Sequence, residues 1–179
     1  MTKYSLINDV NRLPGVVVIL DVFRSSNTIL ELLYRGAERV IPIASLSMAF
    51  SLKRSNPSWF LLAERDGDPI PGADGDNSPT QDLSKVAGKT VLLTTSAGTR
   101  CVDACKVDRD VYVGSFANGE YLVERLRGSI DGEIGVWAVG VRGEKIALED
   151  ELCADWFVRI WNGQEVDFDG IKSRIISSV

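Results

Sequence analysis

Acidic side chains and arginines follow directly after apolar, β-branched segments of the chain. Asp21 ends the segment VVVILD, and Glu64 ends WFLLAE. Glu149 and Asp150 open a long helix-like segment, and Arg24 lies three residues after Asp21. Carboxylate oxygens are the ligands that Mg²⁺ prefers, and a guanidinium can bind phosphate through two hydrogen bonds. These residue types therefore indicate an oxygen-bound divalent cation beside a phosphate group.

The chain contains no histidine. This excludes Ser-His-Asp triads, Cys-His pairs, phosphohistidine chemistry and zinc sites with histidine ligands. Acid–base steps must then rely on carboxylates, Cys, Lys, Tyr or a metal-bound water. Any metal is expected to be a hard cation held by oxygen.

The three cysteines indicate free thiols in a reducing cytoplasm. Cys153 and Arg159 match the Cys-x5-Arg pattern of cysteine phosphatases, but the five intervening residues contain no glycine. A cradle of backbone N–H groups around a thiolate needs such glycines, so we expect Cys153 to be a core residue. We expect no signal peptide, because no apolar run precedes Pro14, and no membrane span, because no apolar run reaches the ~20 residues that a span needs.

Length and composition indicate one globular domain over residues 1–179. Apolar residues make up 45% of the chain and charged residues 25%, which are ordinary values. The net charge of −5 argues against nucleic acid and anionic membranes as partners.

Six short apolar segments alternate with helix-like segments and predict the elements that position the polar residues. The strands are expected over residues 16–21, 39–44, 59–64, 90–95, 111–116 and 133–140. The helices are expected over residues 25–36, 45–55, 97–106, 118–128 and 147–161. This alternation predicts an α/β protein, a single three-layer α/β/α domain with a mainly parallel or mixed central sheet.

Residues 64–80 have three prolines, three glycines and no apolar pattern, so they predict a long functional loop. The loops at the carboxyl ends of the strands line the ligand crevice in such sheets.

Each of the polar features at the strand ends also has a purely structural explanation. Asp21 could be only a helix cap, Glu149 and Asp150 a favourable acidic first turn, and residues 96–99 a simple connection. Their expected meeting at one sheet end favours a functional site.

At these residues the sequence resembles the 2-phosphosulfolactate phosphatase family. The resemblance is carried, in the family's order, by VVVILDVFRSSNTI, GAERVIPIAS, LLAERDGDPIPGADGDNSP, KTVLLTTSAGTR, VYVGSFAN and ALEDELCAD. It implies a Mg²⁺-dependent phosphatase with an α/β/α fold. The implied reaction cleaves (2R)-2-phospho-3-sulfolactate to sulfolactate and phosphate during coenzyme M biosynthesis. Ala97 stands where the family commonly has Asn, a departure that bears on the substrate.

The resemblance and the residue pattern point to the same side chains. We expect Asp21, Glu64 and Asp150 to bind the metal, with Glu149 and Asp66 as further candidates. The catalytic set comprises Asp21, Arg24, Glu64, Glu149 and Asp150. Arg24 and Arg142 are suited to phosphate or sulfonate. Further substrate contacts are expected from Asn77, Ser78, Thr95, Gly98, Thr99, Ser115 and Asn118.

Two alternatives stay open at this point. The chain could be a non-catalytic binding module for a small phosphorylated or sulfonated acid, which would need the arginines but no metal carboxylates. It could also be a related phosphatase with a different small phosphorylated substrate. In either case the chain could form a homodimer.

Overall fold

The computed structural model describes residues 1–105 and 108–178, and within them the chain forms eight β-strands and six α-helices. The strands are Thr2–Ser5 (β1), Val16–Leu20 (β2), Arg39–Pro42 (β3), Phe60–Arg65 (β4), Asp68–Pro69 (β5), Thr90–Thr94 (β6), Asp110–Gly114 (β7) and Ile134–Ala138 (β8). The helices are Asn27–Tyr34 (α1), Leu46–Ser55 (α2), Gly98–Cys105 (α3), Gly119–Arg127 (α4), Leu148–Trp161 (α5) and Phe168–Ile176 (α6). Residue 106, the last of the predicted third helix, lies outside the described residues.

The strands form two four-stranded sheets. The first has the order β1-β8-β2-β7, and its strands are parallel. The second has the order β3-β6-β4-β5, in which β5 alone pairs antiparallel, with Glu64 opposite Pro69. The α/β class with parallel or mixed strands is confirmed. The six predicted strands are nevertheless divided between two sheets, because an apolar pattern defines a strand but not its neighbour.

The apolar side chains of the central strands point alternately to the two faces of the first sheet. Val18 of β2 packs in one cluster with Phe157 of α5, whereas the neighbouring Ile19 packs in another cluster with Cys101 of α3. Helices therefore cover both faces of this sheet. A parallel strand buried on both faces has a continuous apolar sequence, as VVVIL has.

The second sheet is covered in the same way. Leu62 of β4 packs with Leu32 of α1, and the adjacent Leu61 packs with Ala49 of α2. The strand β3 lies at the edge of this sheet and ends at Pro42, as the proline predicts. The layering of helices over both sheet faces agrees with the predicted three-layer arrangement. One domain over residues 1–179 and a homodimer stay predictions.

Three elements lie where the sequence pattern indicates none. The strand β1 contributes only Tyr4 to the core, and β5 has two residues, so neither gives an apolar pattern long enough to detect. The helix α6 buries none of its residues, although Asp167 caps it by accepting a hydrogen bond from the Gly170 N–H at 2.9 Å. In the part of the chain that the structure describes, none of the helices has the length and apolar character of a membrane span.

Candidate functional site

A cavity of about 290 Å³ opens at the carboxyl ends of β2, β4 and β8 and is lined by residues of both sheets. This is the sheet end at which the sequence predicts a site. We call it the carboxylate cavity. Its lining includes the predicted residues Asp21, Arg24, Glu64, Asp66, Asn77, Arg142, Glu149 and Asp150.

Asp21 follows the last residue of β2 and is 8% exposed. Its carboxylate accepts hydrogen bonds from Ser25 Oγ at 2.7 Å and from Ser25 N at 3.3 Å, so it caps the helical turn Val22–Ser26. Burial raises its pKa, and the negative charge of Glu64 adds to this, while hydrogen bonds from Ser25 and from the Gly98 N–H oppose it. Asp21 is thus both a cap and a cavity residue, and the two explanations given by the sequence are compatible.

Gly98 lets the start of α3 approach Asp21 closely. A Cβ atom at this position would lie 2.7 Å from Asp21 Oδ2 and would overlap the Ser25 hydroxyl. Gly98 is therefore placed to hold Asp21 rather than to line the cavity. Behind it, the Thr99 N–H donates to Thr95 Oγ1 at 3.2 Å, and the Thr95 N–H donates to Thr99 Oγ1 at 3.1 Å, which fixes the turn between β6 and α3.

Glu64 lies near the end of β4 and is 5% exposed. One carboxylate oxygen accepts from Ser96 N at 2.7 Å. The other accepts from Gly67 N at 2.8 Å and from Ser96 Oγ at 3.2 Å. These bonds tie the end of β4 to the turn that follows β6. They orient the carboxylate without an ion pair to any of the residues that the structure describes.

Asp150 lies in the first turn of α5 and is 3% exposed. Its two oxygens accept hydrogen bonds from Val22 N and Gly140 N, both at 2.8 Å, and so join the ends of β2 and β8. Burial raises the pKa of Asp150 to about 8, with a further contribution from the negative charges of Asp21 and Glu149. The two backbone donors oppose this shift only in part.

Asn77 supplies a buried oxygen without a hydrogen-bond donor. The residue is 4% exposed and lines the carboxylate cavity, and its Oδ1 is the buried side-chain atom for which the described residues provide no partner. Its backbone carbonyl accepts from Thr28 Oγ1 at 3.1 Å, which anchors the loop at this point. A buried polar atom without a partner indicates a place for a ligand.

Two arginines lie at the mouth of the carboxylate cavity. Arg24 donates to the Gly67 carbonyl at 3.2 Å. Arg142 forms an exposed ion pair with Asp66 at 2.7 Å, and both residues have φ = 57°, in the left-handed region that non-glycine residues seldom adopt. The pair therefore links two unusual backbone turns across the entrance.

The donor set of the carboxylate cavity fits a partly hydrated hard cation. Residues 1–105 and 108–178 contain no group of three or more His, Cys, Asp or Glu side chains spaced to hold a metal ion alone. The cavity nevertheless offers the carboxylates of Asp21, Glu64 and Asp150 and the unpartnered Asn77 oxygen. Mg²⁺ commonly takes one or two carboxylates and keeps several waters, which is compatible with this spacing.

Several predicted substrate contacts bond locally instead. The Ser115 N–H donates to Asn118 Oδ1 at 2.9 Å, and Asn118 Nδ2 donates to the Val113 carbonyl at 3.0 Å, before α4 begins. Ser78 N–H donates to Asp76 Oδ1 at 2.7 Å. Six of the predicted substrate contacts do not line the carboxylate cavity: Ser78, Thr95, Gly98, Thr99, Ser115 and Asn118.

Ser96 and Gly140 line the carboxylate cavity but are not among the predicted site residues. Each supplies donors to a cavity carboxylate, Ser96 to Glu64 and Gly140 to Asp150. Both lie within two residues of a strand end, so the same rule that selected Asp21 identifies them. Their small side chains gave no chemical signal of their own.

The cysteines take no part in the site. Cys153 is fully buried in α5, and burial raises the pKa of its thiol well above the usual value. Burial also raises the pKa of Cys101 to about 12. Neither thiol is therefore ionised near neutral pH, and the expectation that Cys153 is a core residue is confirmed.

Comparison with known proteins identifies one family and several similar proteins with the same name. The family described as 2-phosphosulpholactate phosphatase matches residues 2–175. Proteins named probable 2-phosphosulfolactate phosphatase are similar to this chain. The one from Caldicellulosiruptor saccharolyticus is 35% identical over 166 residues, which cover 89% of this chain and 68% of that protein. The one from Symbiobacterium thermophilum is 38% identical over 143 residues, which cover 78% and 60%.

A third such protein, from Clostridium tetani, is 29% identical over 144 residues, which cover 79% of this chain and 61% of that protein. The chain thus spans between 60% and 68% of the length of these three relatives.

Proposed function

We propose, from the premise that this chain belongs to the 2-phosphosulfolactate phosphatase family, that it hydrolyses the phosphate ester of a small acid in the carboxylate cavity with bound Mg²⁺. The names of the relatives support 2-phosphosulfolactate as the substrate. We take it to be (2R)-2-phospho-3-sulfolactate, cleaved to sulfolactate and phosphate in coenzyme M biosynthesis. The free cysteines suit a reducing cytoplasm as its location.

The observation that carries this proposal is the meeting of three buried carboxylates around one cavity. Asp21, Glu64 and Asp150 are each less than 10% exposed, and none of them has an arginine or lysine partner within 4 Å in the described chain. Buried charges of one sign cost free energy unless a counter-charge is present. A divalent cation supplies that counter-charge, whereas a binding module that recognises anions by arginine alone would gain nothing from these carboxylates.

One or two of the carboxylates of Asp21, Glu64 and Asp150 would hold the cation, with Asn77 Oδ1 as a neutral oxygen ligand and waters in the remaining positions. When bound, Mg²⁺ would supply Lewis-acid chemistry, polarising a phosphoryl oxygen and stabilising the charge that develops on it. The backbone donors of Ser96 and Gly140 keep Glu64 and Asp150 in place. This preorganisation lowers the cost of reorganising the site during the reaction.

Arg24 and Arg142 would bind the acidic groups of the substrate at the mouth of the cavity, where a guanidinium can form paired hydrogen bonds with an oxyanion.

Glu149 is half-buried and lines the cavity, and among the described residues no N–H or O–H group donates to its carboxylate. We therefore assign it as the base that accepts the proton of the attacking water. The family-typical Asn is replaced by Ala97, which lines the cavity without a polar group.

The test is phosphate release by the purified protein from a panel of phosphorylated hydroxy acids that includes (2R)-2-phospho-3-sulfolactate. We expect release with Mg²⁺ and none when a chelator removes divalent ions. Release from another member of the panel only would assign a different substrate. Binding of these acids without release from any of them would overturn the proposal and favour the non-catalytic module.

A further inference from the structure

A second cavity, of about 290 Å³, borders the carboxylate cavity and has the opposite character. Three arginines line it, Arg65, Arg100 and Arg142, and we call it the arginine cavity. It shares Asp66, Ser96 and Arg142 with the carboxylate cavity, so the two cavities are adjacent.

Arg65 brings a half-buried positive charge with no carboxylate partner. Its guanidinium donates to the backbone carbonyls of Glu64 at 2.6 Å and of Ala44 at 3.1 Å, and to Thr94 Oγ1 at 2.8 Å. All of these acceptors are neutral, and no ion pair within 4 Å involves Arg65 in the described chain. The contacts fix the guanidinium, and its charge is left for a ligand to neutralise.

Arg100 and Arg142 add two further guanidinium groups. Arg100 is exposed on α3 and forms no ion pair among the residues that the structure describes. Arg142 pairs with Asp66, and because both side chains are more than half exposed, the pair is weak enough for an anionic ligand to replace Asp66. Glu144 is the other acidic residue of this lining, so the arginines outnumber the carboxylates.

A buried hydroxyl completes the lining of the arginine cavity. Thr95 is 1% exposed, and its Oγ1 accepts a hydrogen bond from Thr99 N at 3.2 Å. No acceptor for the Thr95 O–H is found among the described residues, so this hydroxyl is available to donate to an oxyanion.

We propose that the arginine cavity binds a second acidic group of the substrate, a sulfonate or a carboxylate, while the phosphate ester occupies the carboxylate cavity. This inference rests on the proposed function for the position of the phosphate. Arg65 and Arg100, which are not among the predicted site residues, then become specificity-determining residues. They would select small phosphate esters with a second anionic group and disfavour simple alkyl phosphates.

The first test compares substrates in the variant Arg100→Gln. With Mg²⁺ present, we expect KM for 2-phospho-3-sulfolactate to rise at least about tenfold. We expect kcat/KM for ethyl phosphate to stay unchanged, because Arg100 is exposed and forms no ion pair with the described residues, so its loss should not disturb the fold. Arg100→Lys, which keeps the charge, should recover part of the affinity. Arg54→Gln, which removes an exposed arginine of α2, is the matched control and should leave both substrates unaffected.

Two shorter substrates identify the acidic group. If Arg100→Gln raises KM for 2-sulfoethyl phosphate but not for 2-phospholactate, the arginine cavity binds the sulfonate. If it raises KM for 2-phospholactate alone, the arginine cavity binds the carboxylate. An equal loss for these esters and for ethyl phosphate would overturn the inference, because Arg100 would then act on the phosphate or on the fold.

A binding measurement separates this inference from the proposed function. Calorimetric titration with 3-sulfolactate, which carries no phosphate, should show binding that Arg100→Gln weakens at least about tenfold. If this result appears without phosphate release from any ester, the proposed function fails and the anion site stands. If phosphate release persists while Arg100→Gln binds 3-sulfolactate like the wild type, the anion site fails alone.

Discussion

Replacing Asp150 by Asn should change how the stability of the metal-free protein depends on pH. The pKa of Asp150 is raised from 3.8 to about 8 by burial and by neighbouring negative charge, so the folded protein binds a proton more tightly there than the unfolded chain does. The free energy of unfolding must then fall as pH rises from about 4 to about 8. At about 1.4 kcal/mol per pKa unit, the fall attributable to Asp150 is at most about 6 kcal/mol.

The assay is urea unfolding at intervals between pH 4.5 and 8.5 with a chelator present. Between pH 4.5 and 8.5 the free energy of unfolding of Asp150→Asn should fall by several kcal/mol less than that of the wild type, so its slope against pH is smaller. Some slope should remain because the pKa of Asp21 is raised in the same direction. The amide can accept from only one of the two N–H groups that Asp150 now satisfies, so the variant also loses about 1–3 kcal/mol at every pH. The slope and not the absolute stability is therefore the readout.

The same unfolding experiment includes a control variant and a comparison with and without Mg²⁺. Asp155→Asn on the same helix removes an exposed carboxylate and should leave the slope near that of the wild type. Millimolar Mg²⁺ should stabilise the wild type most at pH 8, because a nearby cation favours the ionised carboxylate, and should stabilise Asp150→Asn less. Equal slopes in the wild type and Asp150→Asn would refute the reasoning.

Further substitutions test the other assignments. Glu149→Gln should lower kcat at least about 10²-fold, about 2.7 kcal/mol of transition-state stabilisation, with Mg²⁺ binding by calorimetry retained; an active variant would remove Glu149 as the base. Cys153→Ser should cost about 1–3 kcal/mol in urea unfolding yet keep kcat within about threefold, and a loss of several orders of magnitude in a folded variant would make the thiol a nucleophile. Gly98→Ala should displace the Asp21 carboxylate and lower kcat/KM at least about tenfold, whereas Gly128→Ala, whose Cβ would meet ordinary contacts at 3.7 Å, should retain activity; equal activity of both variants would show that Gly98 has no such role.

The core of the site was predictable because it depends on local patterns. An apolar, β-branched run defines a buried strand, and a polar residue at its carboxyl end must lie at the ligand-binding edge of a parallel sheet. Asp21 and Glu64 satisfy both conditions, and Asp150 follows from the first turn of the longest helix. The structure adds that Asp21 also caps a helical turn, which a sequence pattern presents as an alternative to a role in the cavity.

The rest depends on contacts between distant parts of the chain. Ser115 and Asn118 also follow a strand end, but β7 lies at the edge of the first sheet, and their polar groups bond to each other there. Strand order is set by pairing between distant segments, which the apolar pattern of one segment does not encode. Arg65 ends β4 and so satisfies the strand-end rule, whereas Arg100 resembles any surface arginine in sequence. Only the structure shows that both line one cavity beside the carboxylate cavity.

The most direct measurement of the central claim is phosphate release from (2R)-2-phospho-3-sulfolactate by the wild type and by Asp21→Asn, each with Mg²⁺ and with chelator. Asn keeps the size of Asp21 and one of its two capping oxygens but removes its charge. We predict that the wild type is active only with Mg²⁺ and that the folded Asp21→Asn variant loses at least about 10²-fold in kcat, about 2.7 kcal/mol. Full activity of the wild type in chelator, or an active Asp21→Asn variant, would contradict it.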